Sequence, residues 1–502
     1  MASCASPPLE TANDSDYGSD LDSELVIQAL SQLETAPVAS LALESIDDDA
    51  PRAAAVRLPA QPSPSLVRAA PARSSPVVQA GYSQTPGNAA RADRTPERLH
   101  LGPEQDVSAL PDTRSPLQRF RTLPMKPLSV TDIVSPAWCE LQYWYTLTKH
   151  GRKRRTPAMK QGSKIHKQLE DQVHKTVEVL VQSREDAWGL KIWNVIQGLR
   201  TLRNTGHTRE LEVWGVIDGQ VINGIIDELS YTCPDEGLEE LAMARINGSK
   251  AQHANQTSIS QFFKAQGATE LEPKSGVGEP HPQKKVWITD VKTRGSKTLP
   301  QGSSMRPTVM QLMIYRRLLT DLATNQVDAE TVFKRYRLNS DDSFTDAFVA
   351  EIGGLDFGFE KDPRDEHDAC LSSQQDADAI SELLAHNSLS KLWGLMIAEF
   401  GKAISGSGAI GQVLRAEFRH QQTGSLLGSK TLVYDKGVLE KYVEEEMSWW
   451  RGERKAKGVD IEEAFKCRIC EFAEECEWRK NKIEEAMENY RKKKGSTSKS
   501  AV

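Results

Sequence analysis

The chain has 502 residues, of which 38% are hydrophobic, 26% charged and only 6% aromatic, with a formal net charge of −7. That apolar content is too thin for every segment to join a core, yet enough to bury one sizeable core. It includes no apolar run long enough to cross a membrane, and the negative balance excludes a globally basic surface while leaving room for a local basic track.

In chain order, residues 1–120 are rich in Ser, Pro, Ala and Asp and are expected to form a disordered tail, acidic in its first fifty residues. Within it "SELVIQALSQLE" (23–34) has helical apolar spacing, as a transient helix or a partner-binding one. The start lacks arginine, unlike a secretory signal or a transit peptide. Seven cysteines, an odd number, fit a reducing compartment. The folded part, 121–480, opens near "PLSVTDIVSPAWCELQYWY", where Ser129 or Thr131 can cap a short helix. A helical pattern then runs from about Ala158 to Val181. "ELEVWGVIDGQVINGIIDELSY" (210–231) reads as a β-hairpin turning at Asp218-Gly219. Residues 232–283 break the pattern with Gly, Pro, Ser and Gln and read as a flexible insert. Strand character returns at 284–294, followed by an amphipathic helix over 306–323 with a proline in its first turn. Strands at 411–419 and 429–434, a helix from Lys436 to Glu453, and a basic tail at 481–502 complete a mixed α/β chain.

Two stretches carry candidate chemistry. Asp227 lies near the end of the second hairpin strand, and in "ITDVKTR" Asp290 and Lys292 stand two apart, hence on one strand face. Two carboxylates and a lysine suit a hard divalent cation such as Mg²⁺, with the lysine orienting water or meeting phosphate charge. A bare D-x-K triplet is more often a solvated strand face; its company raises it. Upstream, "QGSKIHKQLE" places His166 and Glu170 four apart on a helix, after Gly162. Downstream, Gln311 and Tyr315 are likewise one turn apart.

The ordered set G-x3-H-x3-E, Asp, D-x-K and Q-x3-Y resembles the RecB-like nucleases of the PD-(D/E)xK superfamily. Cys467, Cys470 and Cys476 follow the last motif with spacing C-x2-C-x5-C, and Cys139 precedes the first. Three close thiolates need a fourth ligand, and a Cys4 zinc site is the competing reading. The lone-plus-three layout is that of the iron–sulfur members, in which four cysteines hold a [4Fe–4S] cluster. Across residues 120–480 the chain is most similar to the exonuclease V family.

The resemblance implies a PD-(D/E)xK RecB-like core, a mixed central sheet flanked by helices and closed by the cluster. It also implies a single-strand-specific, Mg²⁺-dependent DNA exonuclease releasing short oligonucleotides, with Mn²⁺ as an alternative ion. Asp227, Asp290 and His166 carry over as metal ligands, Lys292 as catalytic lysine, and Glu170, Gln311 and Tyr315 as supporting residues. Arg152, Lys153, Arg154, Arg155, Arg294 and Lys297 are candidates for a DNA track; 152–155 reads equally as a nuclear-import cluster or a solvated loop. A DNA-bound scaffold with an inactive site and a structure-specific endonuclease are the rival functions.

Inside the insert, Gln256, Ile259, Phe262 and Phe263 of "QTSISQFF" match the box that docks on the sliding clamp PCNA, unless the two phenylalanines tuck back onto the core. The expected state is a monomer in the nucleus, with the mitochondrion open.

Overall fold

The computed structural model describes residues 52–59, 112–153, 156–254, 284–355 and 380–497. The described residues up to Pro59 and from Ser115 onward belong to one compact unit.

The hairpin forms as its turn residues dictate. Strand β4 (His207–Ile217) and strand β5 (Gln220–Ser230) pair antiparallel from Ile217 opposite Gln220. Asp218 and Gly219 occupy the left-handed region at φ 52 and 71, as a two-residue hairpin loop requires. β4 takes one edge of β5. The other edge is shared by the short parallel strand β2 (Leu128–Ser129) at Ile222–Asn223 and by strand β6 (Trp287–Arg294), antiparallel at Glu228–Ser230. Strand β7 (Val413–His420) runs parallel to β6, and β8 (Leu426–Val433) closes the sheet antiparallel to β7. The result is a mixed six-stranded sheet with helices packed against it.

Helix α1 (Pro116–Phe120) is capped by Ser115, and helix α2 (Val130–Val134) by Ser129, whose Oγ accepts from the Asp132 amide. Such a cap contributes about 1 kcal/mol. Helix α3 (Glu140–His150) starts at Cys139, and α4 (Pro157–Glu170) follows. The helical reading of 158–181 is corrected here: α4 ends at Glu170, and the β-branched run His174–Val181 is strand β3. β3 is matched antiparallel by a strand from the expected tail, β1 (Arg52–Pro59), with Val56 and Leu58 buried.

Helix α5 (Arg184–Thr205), fully buried at Trp193, packs on β4. The first part of the expected insert is helix α6 (Glu236–Ala254), which the sequence reading treated as loop; its Glu239 accepts from the Gln412 and Val413 amides and so fixes the start of β7. Helix α7 (Arg306–Ala323) has its expected bounds and packs on β4, β6 and β7. Helices α8 (Ala329–Arg335), α9 (Asp346–Gly353) and α10 (Leu389–Ala403) extend the core beside α5. Helix α11 (Lys436–Trp450) precedes the cysteine segment, and α12 (Glu477–Thr497) runs through most of the expected basic tail, 481–502.

Candidate active site and cysteine cavity

Pairing between β5 and β6 stops at Glu228 opposite Thr289, so the strands fork just before Asp227 and Asp290, the next residues in that register. Counting seven residues outward from the Ile217–Gln220 pair brings Glu210 opposite Asp227 on β4. The ladder omits that pair, and Glu210 has a left-handed φ of 54. Glu210, Asp227 and Asp290 therefore form a row of carboxylates across three adjacent strands.

Two helices flank the fork. α4 approaches β6 closely at Gly162, where a Cβ would stand 2.7 Å from Thr293 Oγ1, and its Ile165 and Leu169 pack on Val291. That seating brings His166 Nδ1 to 3.2 Å from Glu210 Oε1 and 3.6 Å from Asp227 Oδ1. Ligand atoms of His166, Glu210 and Asp227 lie within 4.8 Å of one another. From the other side, α7 presents Gln311, whose Oε1 accepts from Lys292 Nζ at 2.9 Å and whose Nε2 donates to Tyr315 OH at 3.1 Å. The Tyr315 ring fits because β5 carries Gly224 there: an added Cβ would meet Tyr315 Cε1 at 2.7 Å.

Lys292 Nζ also stands 2.8 Å from Asp290 Oδ2. Asp290 is fully buried, and among the described residues its Oδ1 finds no hydrogen-bond partner. Burial pushes the Asp290 carboxyl up to about 6 against the pull of Lys292, and raises Asp227 against that of His166. Burial alone would pull His166 down, but Asp227 and Glu210 push it up to about 9, so its proton sits between the two carboxylates. Such a set of oxygen donors with one imidazole, carrying an orphaned buried oxygen, fits a divalent cation whose binding would displace that proton.

Not every expected site residue joins this group. Glu170 is held by Arg57 instead, its Oε1 accepting from Arg57 Nε at 2.5 Å. Among the basic candidates, Lys153 lies close enough to Lys292 that burial and that charge lower it to about 8. Arg152 and Lys297 are exposed. Arg294, expected on the track, is instead 1% exposed and offers no surface. Arg154, Arg155 and the Gln256, Ile259, Phe262 and Phe263 box lie outside the described residues. Glu210 is the residue the sequence reading missed. The signal was present, since a two-residue loop at Asp218-Gly219 fixes the register that pairs it with Asp227.

The second site is a cavity lined by Cys139, Cys467, Cys470 and Cys476, with Trp138, Tyr145, Lys466, Phe472, Trp478 and Arg479 around them. Two segments far apart in the chain, around Cys139 and over 454–479, meet here. Arg454 grips Glu140 with two 2.7 Å bonds, the Leu141 amide donates to the Lys457 carbonyl, and buried Lys466 donates to the Trp138 carbonyl. Gly458 admits the Trp478 ring, which would lie 2.3 Å from an added Cβ. Burial first, and then its three neighbouring cysteines, push the Cys139 thiol up to about 12. Burial, and then neighbouring thiols, also raise Cys467 and Cys470, and four cysteines lining one cavity are a donor set suited to a bound cationic centre.

Comparison with known proteins follows the same lines. Residues 115–479 match the family model described as "Exonuclease V - a 5' deoxyribonuclease". The chain is 25% identical over 372 residues to exonuclease V of Danio rerio, covering 74% of each protein. It is 23% identical over 459 residues to "Exonuclease V, mitochondrial" of Eremothecium gossypii, covering 80% of this chain and 86% of the relative. A Candida glabrata protein of the same name is 22% identical over 434 residues, covering 71% and 80%.

Proposed function

The chain belongs to the exonuclease V family and is a DNA exonuclease, and on that premise we propose that it hydrolyses single-stranded DNA with Mg²⁺, or Mn²⁺ in its place, releasing short oligonucleotides in repair or replication. The observation that carries this reading is the carboxylate row Glu210, Asp227 and Asp290 at a strand fork, met by His166 and Lys292. His166, Glu210, Asp227 and Asp290 would hold the cation, which supplies Lewis-acid stabilisation of charge building on the phosphate.

The chain's own groups do the rest. Asp290 and Gln311 hold Lys292 Nζ from two sides, where the ammonium would meet a phosphate oxygen or the attacking water. Tyr315 holds Gln311 in turn. Arg152, Lys153 and Lys297 guide the strand by its phosphates. The family description supports attack from 5′ ends.

The four cysteines would hold a [4Fe–4S] cluster, which joins the ends of the nuclease core. The lone-plus-three spacing of Cys139 with Cys467, Cys470 and Cys476 favours the cluster over a Cys4 zinc site. Clamp binding through Gln256, Ile259, Phe262 and Phe263 rests on the sequence match alone. The proposed sites of action are the nucleus and the mitochondrion, the latter supported by the names of the fungal relatives.

The test uses protein purified without oxygen, single-stranded DNA labelled at either end, and Mg²⁺, beside the Asp290→Ala variant. Wild-type protein is expected to degrade the DNA and the variant to lose about a thousandfold in rate. Retained cleavage by Asp290→Ala would sink the assigned site. Silence from both, with iron present, would favour the inactive scaffold, and cleavage of circular strands the endonuclease.

A further inference from the structure

The family match begins at residue 115, yet the carboxylate row is tied to a residue well before it. Strand β1 runs antiparallel along β3 through eight register pairs, from Arg52 opposite Val181 to Pro59 opposite His174. Val56 and Leu58 are buried in the main core. On its other edge Asn194 of α5 reads the strand's backbone, accepting from the Arg57 amide at 2.9 Å and donating to the Ala55 carbonyl at 2.9 Å. The strand is thus docked on both sides.

Arg57 between them points its guanidinium toward the site. Its Nε donates to Glu170 Oε1 at 2.5 Å and its Nη1 to the Glu210 carbonyl oxygen at 2.7 Å. Both contacts matter for geometry. Glu170 lies one helical turn beyond His166 on α4, so holding it holds the helix that supplies the imidazole. Glu210 is the residue whose left-handed backbone drops out of the β4–β5 ladder, a conformation that costs about 1–3 kcal/mol and persists only where surroundings over-determine it. Its carbonyl accepts from Arg57. The loop of contacts closes through His166 Nδ1 on Glu210 Oε1 at 3.2 Å. A planar guanidinium can grip two groups at fixed angles, which a lysine ammonium cannot match.

We propose that strand Arg52–Pro59 is an intramolecular strap and that Arg57 is a positioning residue: by joining Glu170 to the Glu210 main chain it sets the distance between His166 and the carboxylate row, and so the affinity of the site for its divalent cation. This rests on the reading of that row as the cation site. Arg57 acts through the residues it holds, Glu170 and Glu210.

The experiment uses the full chain and three variants, Arg57→Ala, Arg57→Lys and Asp290→Ala. It measures the Mn²⁺ dependence of hydrolysis, Mn²⁺ binding by calorimetry, and thermal unfolding. Losing a group that orients a ligand costs about tenfold or more in metal affinity. Arg57→Ala is therefore expected to raise both the half-saturating Mn²⁺ concentration and the calorimetric Kd about tenfold, with kcat at saturating Mn²⁺ within about twofold of wild type. Arg57→Lys, which keeps the charge and can hold Glu170 alone, falls between and covers the case in which the alanine variant does not fold. A role confined to holding the strand down would lower Tm while leaving the Mn²⁺ midpoint and Kd in place. That result in Arg57→Lys or Arg57→Ala, with Asp290→Ala inactive, overturns the proposal. An active Asp290→Ala instead removes the site reading beneath it.

Discussion

The carboxylate row and the cysteine cavity are built in opposite ways. The row stands on three adjacent strands, with the β4–β5 register fixed by a two-residue turn and β6 paired to β5 just beyond the fork. Two helices and a strap hold it from outside. The cavity draws Cys139 and the segment 467–476 together from distant parts of the chain, and its thiols remain only half-buried. The groups that close it are ion pairs and single hydrogen bonds, such as Arg454 on Glu140 and Lys466 on the Trp138 carbonyl. One site is shaped by strand register; the other is closed by contacts between segments far apart in the chain.

The largest effect should come from the cavity. Cys470→Ser is expected to lose iron and to lower stability by about 3 kcal/mol or more, since binding energy at such a centre is folding energy. EDTA should abolish hydrolysis while leaving the melting curve nearly unmoved. Iron content, circular dichroism melts and nuclease assays read the two side by side. A Cys470→Ser protein with unchanged Tm would break the contrast.

Of intermediate size is an acid effect that belongs to the sheet side alone. His174 is fully buried, bonded through Nε2 to Thr208, and burial, then the Arg57 charge, lowers it to about 4. A histidine held neutral in the fold takes up its proton more readily when unfolded. Stability is therefore full above about pH 6.5 and falls as pH drops toward 4, by about 3 kcal/mol across that window. His174→Asn should flatten this acid limb in urea titrations, and in the Cys470→Ser background the flattening should be equal. An acid limb of unchanged slope in His174→Asn would assign it to other groups.

The smallest effect sharpens the functional side. Exposed Lys297→Ala should weaken single-stranded DNA binding modestly and reduce the salt slope of log K by about 0.7, without altering the Mn²⁺ midpoint. A salt slope equal to wild type would take Lys297 off the DNA path.

Legibility from sequence followed the same division. α7 and the hairpin were readable because their signals are local: apolar spacing with a proline at the start, and Asp-Gly between alternating runs. The motif residues were readable for the same reason. What escaped depends on partners far along the chain. "HKTVEVLV" extends a helical pattern until β1 pairs with it, and "AAAVRLP" looks like tail until β3 does. Glu170 sits one turn from His166 on paper, yet Arg57, more than a hundred residues earlier, decides which way its carboxylate turns. Arg294 reads as a basic surface residue but ends beside β7, opposite His420, in the sheet interior.

The pairing of β1 with β3 also bears on how the chain behaves when shortened. A protein begun at residue 115 would lack β1 and leave β3 as a bare edge, with Val179 and Val181 uncovered and a row of unpaired amides and carbonyls beside them. Open edges of that kind recruit whatever strand is available. In a full-length preparation at high concentration the available strand is Arg52–Pro59 of another copy, and its exchange would yield a domain-swapped dimer; in the shortened protein it would be a second β3, and the outcome would be aggregation.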